Sequence, residues 1–306
     1  MVAPTIVGAG LAGLIAAHAW TSAKVFEAGP PAANHRALLR FRSDTVSRLT
    51  GIPFRKVRVR KGIWHAGEYR APDIRLANMY SQKCLGRLES DRSIWNLDAA
   101  DRFIAPETLY EQMVAAVGDR VSWNTPVDFK LAAASGLQLV STAPLGVTLA
   151  AVGVEHPAPF SRAAITVERF HIHGTDLFQT VYFPSDKISV YRASITGSTL
   201  IVEHAGAGAE VGQNGFGCVM DAFGISAARG ISPLGAVKQS YGKIAPIDDV
   251  LRKGLLLKLT RDHGIFSLGR FATWRNILLD DVVQDIDVLK RLMRGDGYEL
   301  FKGMTE

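Results

Sequence analysis

Thr5-Ile6-Val7-Gly8-Ala9-Gly10-Leu11-Ala12-Gly13-Leu14-Ile15-Ala16-Ala17 carries the most structural information in the chain. A short β-run leads into a Gly-x-Gly-x-x-Gly turn, and a helix of small and aliphatic residues follows. A second strand candidate, Lys24-Val25-Phe26, ends in Glu27, nineteen residues after Gly8. Each position has a physical reason. Gly8 allows the tight turn, Gly10 lets backbone approach a pyrophosphate, and Gly13 lets helix and strand pack closely. The helix N-terminus presents unpaired N–H groups and a partial positive charge to phosphates. Glu27 is spaced to accept hydrogen bonds from a ribose. A glycine-rich turn without a ligand is the bland alternative. The strand–turn–helix context with a correctly spaced acid favours dinucleotide binding.

The chain has 306 residues, 47% of them hydrophobic, enough for one large or two ordinary domains. Its two cysteines, Cys84 and Cys218, make neither a disulfide framework nor a zinc site, so a reducing, cytoplasmic setting is expected. The apolar run from Val2 to Trp20 holds three glycines and a proline and has no basic segment before it. It reads as strand–turn–helix, and no membrane partner is expected. Net charge is +6. Between His35 and Lys61 lie Arg36, Arg40, Arg42, Arg48, Arg55, Lys56, Arg58, Arg60 and Lys61, against Asp44 alone. Such a run serves as a solvated face, or it holds an anionic substrate, a nucleic acid or a cofactor diphosphate. No recognition-helix, zinc-finger or RNA-binding signature accompanies it.

Along the chain, the first 28 residues form a βαβ start. Ala37 to Leu49 mixes apolar and basic residues at helical spacing. Glu107 to Val117, between Pro106 and Gly118, reads as an amphipathic helix. Arg120 to Asn124 and Leu137 to Val140 read as strands. Ile165–Ile172, Leu177–Phe183, Ile188–Ile195 and Thr199–Glu203 predict an antiparallel meander, with turns at Gly174, Pro184 to Asp186, and Gly197. Ala205 to Gly217 is Gly/Ala-rich and reads as a loop, and Asp281 to Leu292 as a final amphipathic helix. No internal repeat is apparent.

Three separated segments resemble the flavoprotein superfamily that includes amine oxidases, protoporphyrinogen oxidase and UDP-galactopyranose mutase. The first is Val7 to Glu27, with Arg36 near the family's diphosphate-binding arginine. The second is Arg120-Val-Ser-Trp-Asn-Thr-Pro-Val127, followed by Leu139-Val-Ser-Thr-Ala-Pro-Leu145. The third is Ser267-Leu-Gly269-Arg270-Phe-Ala-Thr-Trp274 with Asp280-Asp281-Val-Val. The resemblance implies FAD, held through Gly8, Gly10, Leu11, Ala12, Gly13, Glu27, Arg36, Val127, Gly269, Arg270 and Trp274. It implies an α/β fold: a Rossmann-like FAD-binding domain (1–55, 105–155 and 245–306) with an inserted antiparallel β substrate domain (56–104 and 156–244). The chain departs from the family pattern in carrying Asn34-His35 where Gly-Gly commonly precedes the arginine, and it is short for an amine oxidase.

The catalytic candidates are Tyr191, Arg192 and Trp274. Tyr191 and Arg192 are neighbours on one strand, so alternation lets only one face a flavin. Trp274 serves stacking or core packing equally well. His171 and His173 share a strand face, yet no further ligand is spaced to complete a metal site, and none is expected. The resemblance implies an FAD-dependent oxidoreductase of amine-oxidase type, acting at a carbon next to nitrogen in an amine or amino-acid-like substrate. A mutase-like enzyme acting on a nucleotide-sugar and a non-catalytic flavin-binding module are the alternatives. The expected partner is an anionic substrate, small molecule or nucleic acid. Compact size also resembles bacteriophage flavoproteins of DNA-base modification, which would place the amine on a thymine in DNA, with Arg40, Arg42, Arg55, Lys56, Arg58 and Arg60 on phosphates. Oligomeric state is left open.

Overall fold

The computed structural model describes residues 3–31, 40–90, 94–206, 213–226 and 230–294. The chain divides into two compact units, Met1–Arg55, Phe103–Phe160 and Pro246–Glu306 in the first, Lys56–Arg102 and Ser161–Ala245 in the second. Strands and helices are numbered in chain order across both.

The first unit is a parallel sheet wrapped by helices. Its strands are β1 (Thr5–Val7), β2 (Val25–Phe26), β7 (Val121–Ser122), β8 (Leu139–Ser141) and β14 (Ile265–Ser267). They lie in the order β14-β8-β1-β2-β7, all parallel. This is a Rossmann-like α/β arrangement. From β1 the chain turns one way to β2 and β7, and it returns on the other side as β8 and β14. The switch point therefore falls between β1 and β8, where open α/β sheets leave a crevice beyond the strand ends. Helix α1 (Leu11–Ala19) leaves β1 through the glycine turn and is almost wholly buried. It packs against α2 (Thr45–Thr50), α4 (Leu109–Val117) and α9 (Leu279–Met293). Ile6, Leu14, Ile15, Leu109, Met113 and Ile286 centre the core, each at most 1% exposed.

The remaining helices of this unit are α5 (Phe129–Ala134), α6 (Leu145–Val152) and α8 (Asp249–His263). α5 and α8 start on aspartates whose carboxylates accept from the third residue on, Asp128 from Leu131 N–H at 3.1 Å and Asp248 from Leu251 N–H at 2.7 Å. α6 and α8 end on left-handed Gly153 and Gly264. A short strand β3 (Arg40–Phe41) pairs with Phe103 and Ile104.

The second unit is built on a long, largely antiparallel sheet. Its strands are β4 (Arg55–His65), β5 (Glu68–Arg70), β6 (Ala100–Ile104), β9 (Arg162–Ile172), β10 (Leu177–Tyr182), β11 (Val190–Gly197), β12 (Thr199–Ala205) and β13 (Ile231–Ile244). The order runs β13-β9-β12-β11-β10-β4-β6, with β5 hairpinned onto β4. The expected four-strand meander is thus corrected. β10, β11 and β12 are consecutive hairpins, but β9 lies beside β12 instead of β10. That is a Greek-key order, and it buries β12, whose first six residues are all buried. β10 pairs with β4 in parallel. Helices α3 (Ile74–Leu85) and α7 (Gln213–Phe223) belong to this unit. α7 corrects a second expectation, since Gln213 to Gly217, read as loop, are its first turn. Asp73 caps α3 by accepting from Leu76 N–H at 2.7 Å, and left-handed Gly86 ends it.

Two contacts in the first unit predict measurable stability. A Cβ on Gly13 would sit 1.9 Å from the Gly8 carbonyl oxygen, whereas one on Gly10 would meet nothing within 4 Å. Gly13→Ala is expected to cost about 3 kcal/mol of unfolding free energy or to leave the chain insoluble. Gly10→Ala is expected to stay within about 1 kcal/mol of the parent by urea titration. Asp280, 4% exposed, accepts from Arg42 N–H and Ser43 N–H, both at 3.0 Å, and from Ser43 Oγ at 2.8 Å. Asp280→Ala strips three donors of one acceptor and is expected to cost about 1–3 kcal/mol in the same titration.

Candidate functional site

The glycine turn stands at the carboxyl end of β1, beside the switch point. Gly8 adopts φ +100°, and a Cβ there would lie 2.3 Å from Thr142 Oγ1, a position only glycine fills. Thr142 Oγ1 donates to the Val7 carbonyl at 2.9 Å and so ties β8 to the end of β1. Gly10 is the N-cap of α1, extended at φ −71° and ψ 177°, with no side-chain cap and with open space above its α-carbon. The first N–H groups of α1 thus face outward from a cradle that a larger residue would fill. That geometry fits a diphosphate. Leu11 is buried and Ala12 half-buried at the same turn.

Glu27 lies at the end of β2, half-buried. Its carboxylate accepts from Ala9 N–H at 2.8 Å and Gly29 N–H at 3.1 Å, which fixes the side chain against the glycine turn. Two carboxylate oxygens have lone pairs beyond these two bonds, so Glu27 can still accept from ribose hydroxyls. The segment leading to Val127 is held here by backbone bonds, Asn124 N–H to the Gly29 carbonyl and Thr125 N–H to the Glu27 carbonyl at 2.8 Å. The structure therefore places the Val127 segment next to the acid, with Val127 half-buried.

The loop after β14 closes onto α1. Gly269, at φ +90°, is so near that a Cβ would come 2.8 Å from the Ala12 methyl. Thr273 returns both its N–H and its hydroxyl to the Gly269 carbonyl, at 3.0 and 2.8 Å. Trp274 follows at φ +50°, an uncommon backbone state for a bulky residue, and is 3% exposed. Its ring meets Phe160 edge-on at 4.9 Å, and Phe160 in turn meets His156 at 4.7 Å. Arg270 is half-buried and donates to Asn276 Oδ1 at 3.2 Å. Gly8, Gly10, Leu11, Ala12, Gly13, Gly269 and the residues after it are thereby brought together in one unit, with Glu27 and the Val127 segment beside the turn. Arg36 and His35 lie outside the described residues. Thr142 is the contributor that spacing arguments missed. Its signal was its place three residues after Leu139, at the end of the strand that pairs with β1.

Tyr191 and Arg192 belong to the second unit. A register shift between Val190 and Arg192 against β12 disturbs the alternation, and both side chains end on the same acid. Tyr191, fully buried, donates from its hydroxyl to Glu203 Oε1 at 2.9 Å. Arg192 holds the same carboxylate through two nitrogens, Nη2 at 2.7 Å from Oε1. Burial opposes charge on Glu203, yet the Arg192 guanidinium, helped by Lys243 and Tyr191, more than offsets it and holds the carboxyl below its usual range. Burial, then the Glu203 charge, pushes the Tyr191 phenol well above its usual range. Lys83 on α3 donates to three backbone carbonyls, those of Phe183, Ser185 and Val190. Burial lowers its pKa to about 8, so it remains cationic at neutral pH. Nothing in the sequence singled out Lys83, Glu203 or Lys243.

The basic run has a structural account. On β4, Val57 and Val59 point inward while Lys56, Arg58 and Arg60 point to solvent, the alternation of a half-buried strand. Lys56 and Arg58 both pair with Asp101, at 3.1 and 3.0 Å. In the first unit, Arg42 pairs with Asp281 and Arg48 with Asp44. His171 and His173 stack edge-on at 4.7 Å. Among the described residues, no group of three or more His, Cys, Asp or Glu side chains is placed to hold a metal ion, and no helix is long and apolar enough to cross a membrane.

No protein-family model matches the chain, and no curated protein matches it. Solved structures do. The structure of reduced UDP-galactopyranose mutase aligns at a TM-score of 0.62 and 14% identity, over 95% of this chain and 96% of that one. The PF1083 protein from Pyrococcus furiosus aligns at a TM-score of 0.51 and 10% identity, over 87% and 91%. RebC-10x soaked with chromopyrrolic acid, with bound 7-carboxy-K252c, aligns at 0.50 and 14% identity, over 87% of this chain and 55% of that one. At these identities the likeness establishes the fold.

Proposed function

We propose that the protein is an FAD-dependent oxidoreductase of amine-oxidase type, acting on a carbon next to nitrogen in an amine or amino-acid-like substrate. The observation that carries the flavin reading is the glycine turn at the β1–β8 switch point, open above Gly10 and closed at Gly13, with the Gly269 loop against Ala12. When bound, FAD supplies a two-electron acceptor for that C–H bond. The chain's own residues bind and orient. Backbone N–H groups from Gly10 to Gly13 would hold the diphosphate, Glu27 would accept from the ribose, and backbone near Val127 would serve the adenine; the resemblance alone assigns Arg36 to the diphosphate. Gly269, Arg270 and Trp274 serve the flavin end. Tyr191 and Arg192, both bonded to Glu203, hold that carboxylate in place and do not act as a proton relay.

A second reading, a mutase-like flavoenzyme acting on a nucleotide-sugar, is favoured by one observation. The alignment with the structure of reduced UDP-galactopyranose mutase takes in both units, over 95% of this chain and 96% of that one. A thymine-borne amine in DNA is the finer form of the first reading. The outward face of β4, with Lys56, Arg58 and Arg60, supports it. The Asp101 pairs at Lys56 and Arg58 weaken it, because a phosphate would have to displace a carboxylate.

Purified protein is expected to be yellow and to release FAD on heating. Gly10→Ala is expected to fold and yet to retain at least tenfold less FAD, which separates cofactor loss from misfolding. Anaerobic bleaching of the flavin by an amine panel, with hydrogen peroxide released in air, supports the oxidase. Conversion of a UDP-sugar only after dithionite reduction selects the mutase reading, and bleaching by neither leaves a flavin-binding module. Duplex DNA binding whose log–log salt slope is about −0.9 per phosphate contact supports the DNA form, and a flat response removes it. A colourless chain that takes up no FAD overturns all of these readings.

A further inference from the structure

The second unit brings together a hydroxyl, an imidazole and a carboxylate that none of the roles above uses. His204, near the end of β12, is 0% exposed. The sheet register sets what lies around it. Val190 of β11 stands opposite His204, and Val202 of β12 stands opposite Glu168 of β9. Glu168 and His204 are therefore diagonal on one face of an antiparallel pair, a spacing that long side chains can bridge. Ser189 stands just before β11, in the connection from β10. Asp186 and Lys187 in that connection are exposed, and Ser189 is half-buried.

The two ring nitrogens of His204 face different partners. Ser189 Oγ lies 2.9 Å from Nδ1, and Glu168 Oε2 lies 3.5 Å from Nε2. The second distance is long, as catalytic hydrogen bonds often are before substrate binds. A carboxylate can only accept, so Glu168 holds the proton of the neutral ring on Nε2. Nδ1 is then an acceptor, and the Ser189 hydroxyl donates to it. Burial, and after it the Lys83 charge, lowers the His204 pKa to about 4 against the opposing Glu203 charge. The ring is thus neutral at pH 7, with its Nδ1 lone pair directed at a hydroxyl.

Proton transfer from Ser189 to Nδ1 makes an imidazolium whose other nitrogen faces the Glu168 carboxylate. Nucleophile, base and orienting acid are the parts of a Ser-His-acid centre, which is recognised by geometry whatever the order in the chain. The N–H groups of Ile188 and Ser189 take no backbone acceptor among the described residues. The turn that carries the hydroxyl therefore also carries donors for an oxyanion. The low basicity of His204 makes proton transfer slow, so an ester with a good leaving group suits the centre.

We propose that Ser189, His204 and Glu168 form a hydrolytic centre for small acyl esters. Ser189 Oγ bonds to the acyl carbon and passes its proton to His204 Nδ1. The ester C–O bond breaks, and that proton leaves with the alcohol. Water then repeats the sequence at the acyl carbon, releasing a carboxylic acid and restoring the serine hydroxyl. Ser189 and His204 are the catalytic residues, and Glu168 is a positioning residue. The centre lies within the second unit and does not depend on the flavin reading.

Two probes test it on the full chain. A fluorophosphonate loses fluoride as the serine oxygen bonds to phosphorus, and peptide mapping by mass is expected to place the adduct on Ser189. p-Nitrophenyl acetate is expected to be hydrolysed with turnover. Ser189→Ala is expected to remove the adduct and the turnover, and His204→Gln to slow labelling about a hundredfold. Glu168→Gln is expected to lower kcat for p-nitrophenyl acetate about tenfold or more and to keep KM within about threefold, a split that misfolding does not produce. A hydrogen bond that only satisfies a buried histidine predicts no adduct. Absence of an adduct on Ser189 in the parent therefore overturns the proposal. So does labelling of His204→Gln at the parent rate, or unchanged ester turnover in Ser189→Ala. If His204→Gln fails to fold, the adduct in the parent, Ser189→Ala and the Glu168→Gln split still decide. The adduct is read by mass, so loss of the FAD reading leaves this result interpretable.

Discussion

The approach of α1 to β1 governs the first unit. The helix begins so close to the strand that a Cβ at Gly13 would stand 1.9 Å from the Gly8 carbonyl oxygen. Because the helix is that near, Leu14 and Ile15 are fully removed from water and become the centre of the core. Three helices then pack on α1. The same closeness leaves the first N–H groups of the helix pointing past the strand end, toward the switch point. Packing and binding geometry share one cause here. A bulkier turn would move the helix out, and it would loosen the core and withdraw the dipole from the crevice together.

This explains why the first unit was legible in the sequence. Its determinants are local: three glycines, an acid at fixed spacing, and strands flanked by turn signals. The long-range ties were not legible. Asp280 reads as part of a C-terminal motif, but its side chain serves the backbone of Arg42 and Ser43. Thr142 acts on Val7 across more than a hundred residues. Neither pairing leaves a spacing pattern, because each depends on which strand lies beside which.

The second unit was legible in its strands and not in their order. Period-two alternation found β9 to β12 within a few residues of their bounds, since each half-buried strand carries that signal by itself. Adjacent hairpins then suggested a meander, and the sheet instead places β9 beside β12. β13 went unread for a local reason. It contains Pro233, Gly235 and Gly242, which argue against a strand, and it tolerates them as the terminal strand of the order, with register shifts at Pro233/Gly235 and Gln239/Lys243. The bulge at Val190–Arg192 had a similar effect on the site. Strict alternation separates Tyr191 from Arg192, and one irregular step sends both to Glu203.

The two populations of positive charge differ in what they say about function. The conspicuous one, from Arg40 to Lys61, is written in the sequence as a run. In the structure much of it is an ordinary solvent face in which Arg42, Arg48, Lys56 and Arg58 have carboxylate partners. Exposed pairs of this kind cost little to form and little to break, so they carry weak information. The inconspicuous population is Lys83, Arg192 and Lys243, scattered over 161 positions from first to last. Burying such groups is expensive, and they stand only where carbonyls, a carboxylate and an aromatic face are arranged to receive them. Of the three, Lys243 is buried, and Lys83 and Arg192 are half-buried, with Lys83 on three backbone carbonyls and Arg192 on the Glu203 carboxylate. These cations, held by fixed partners, therefore say more about how the second unit is built than the exposed basic run does.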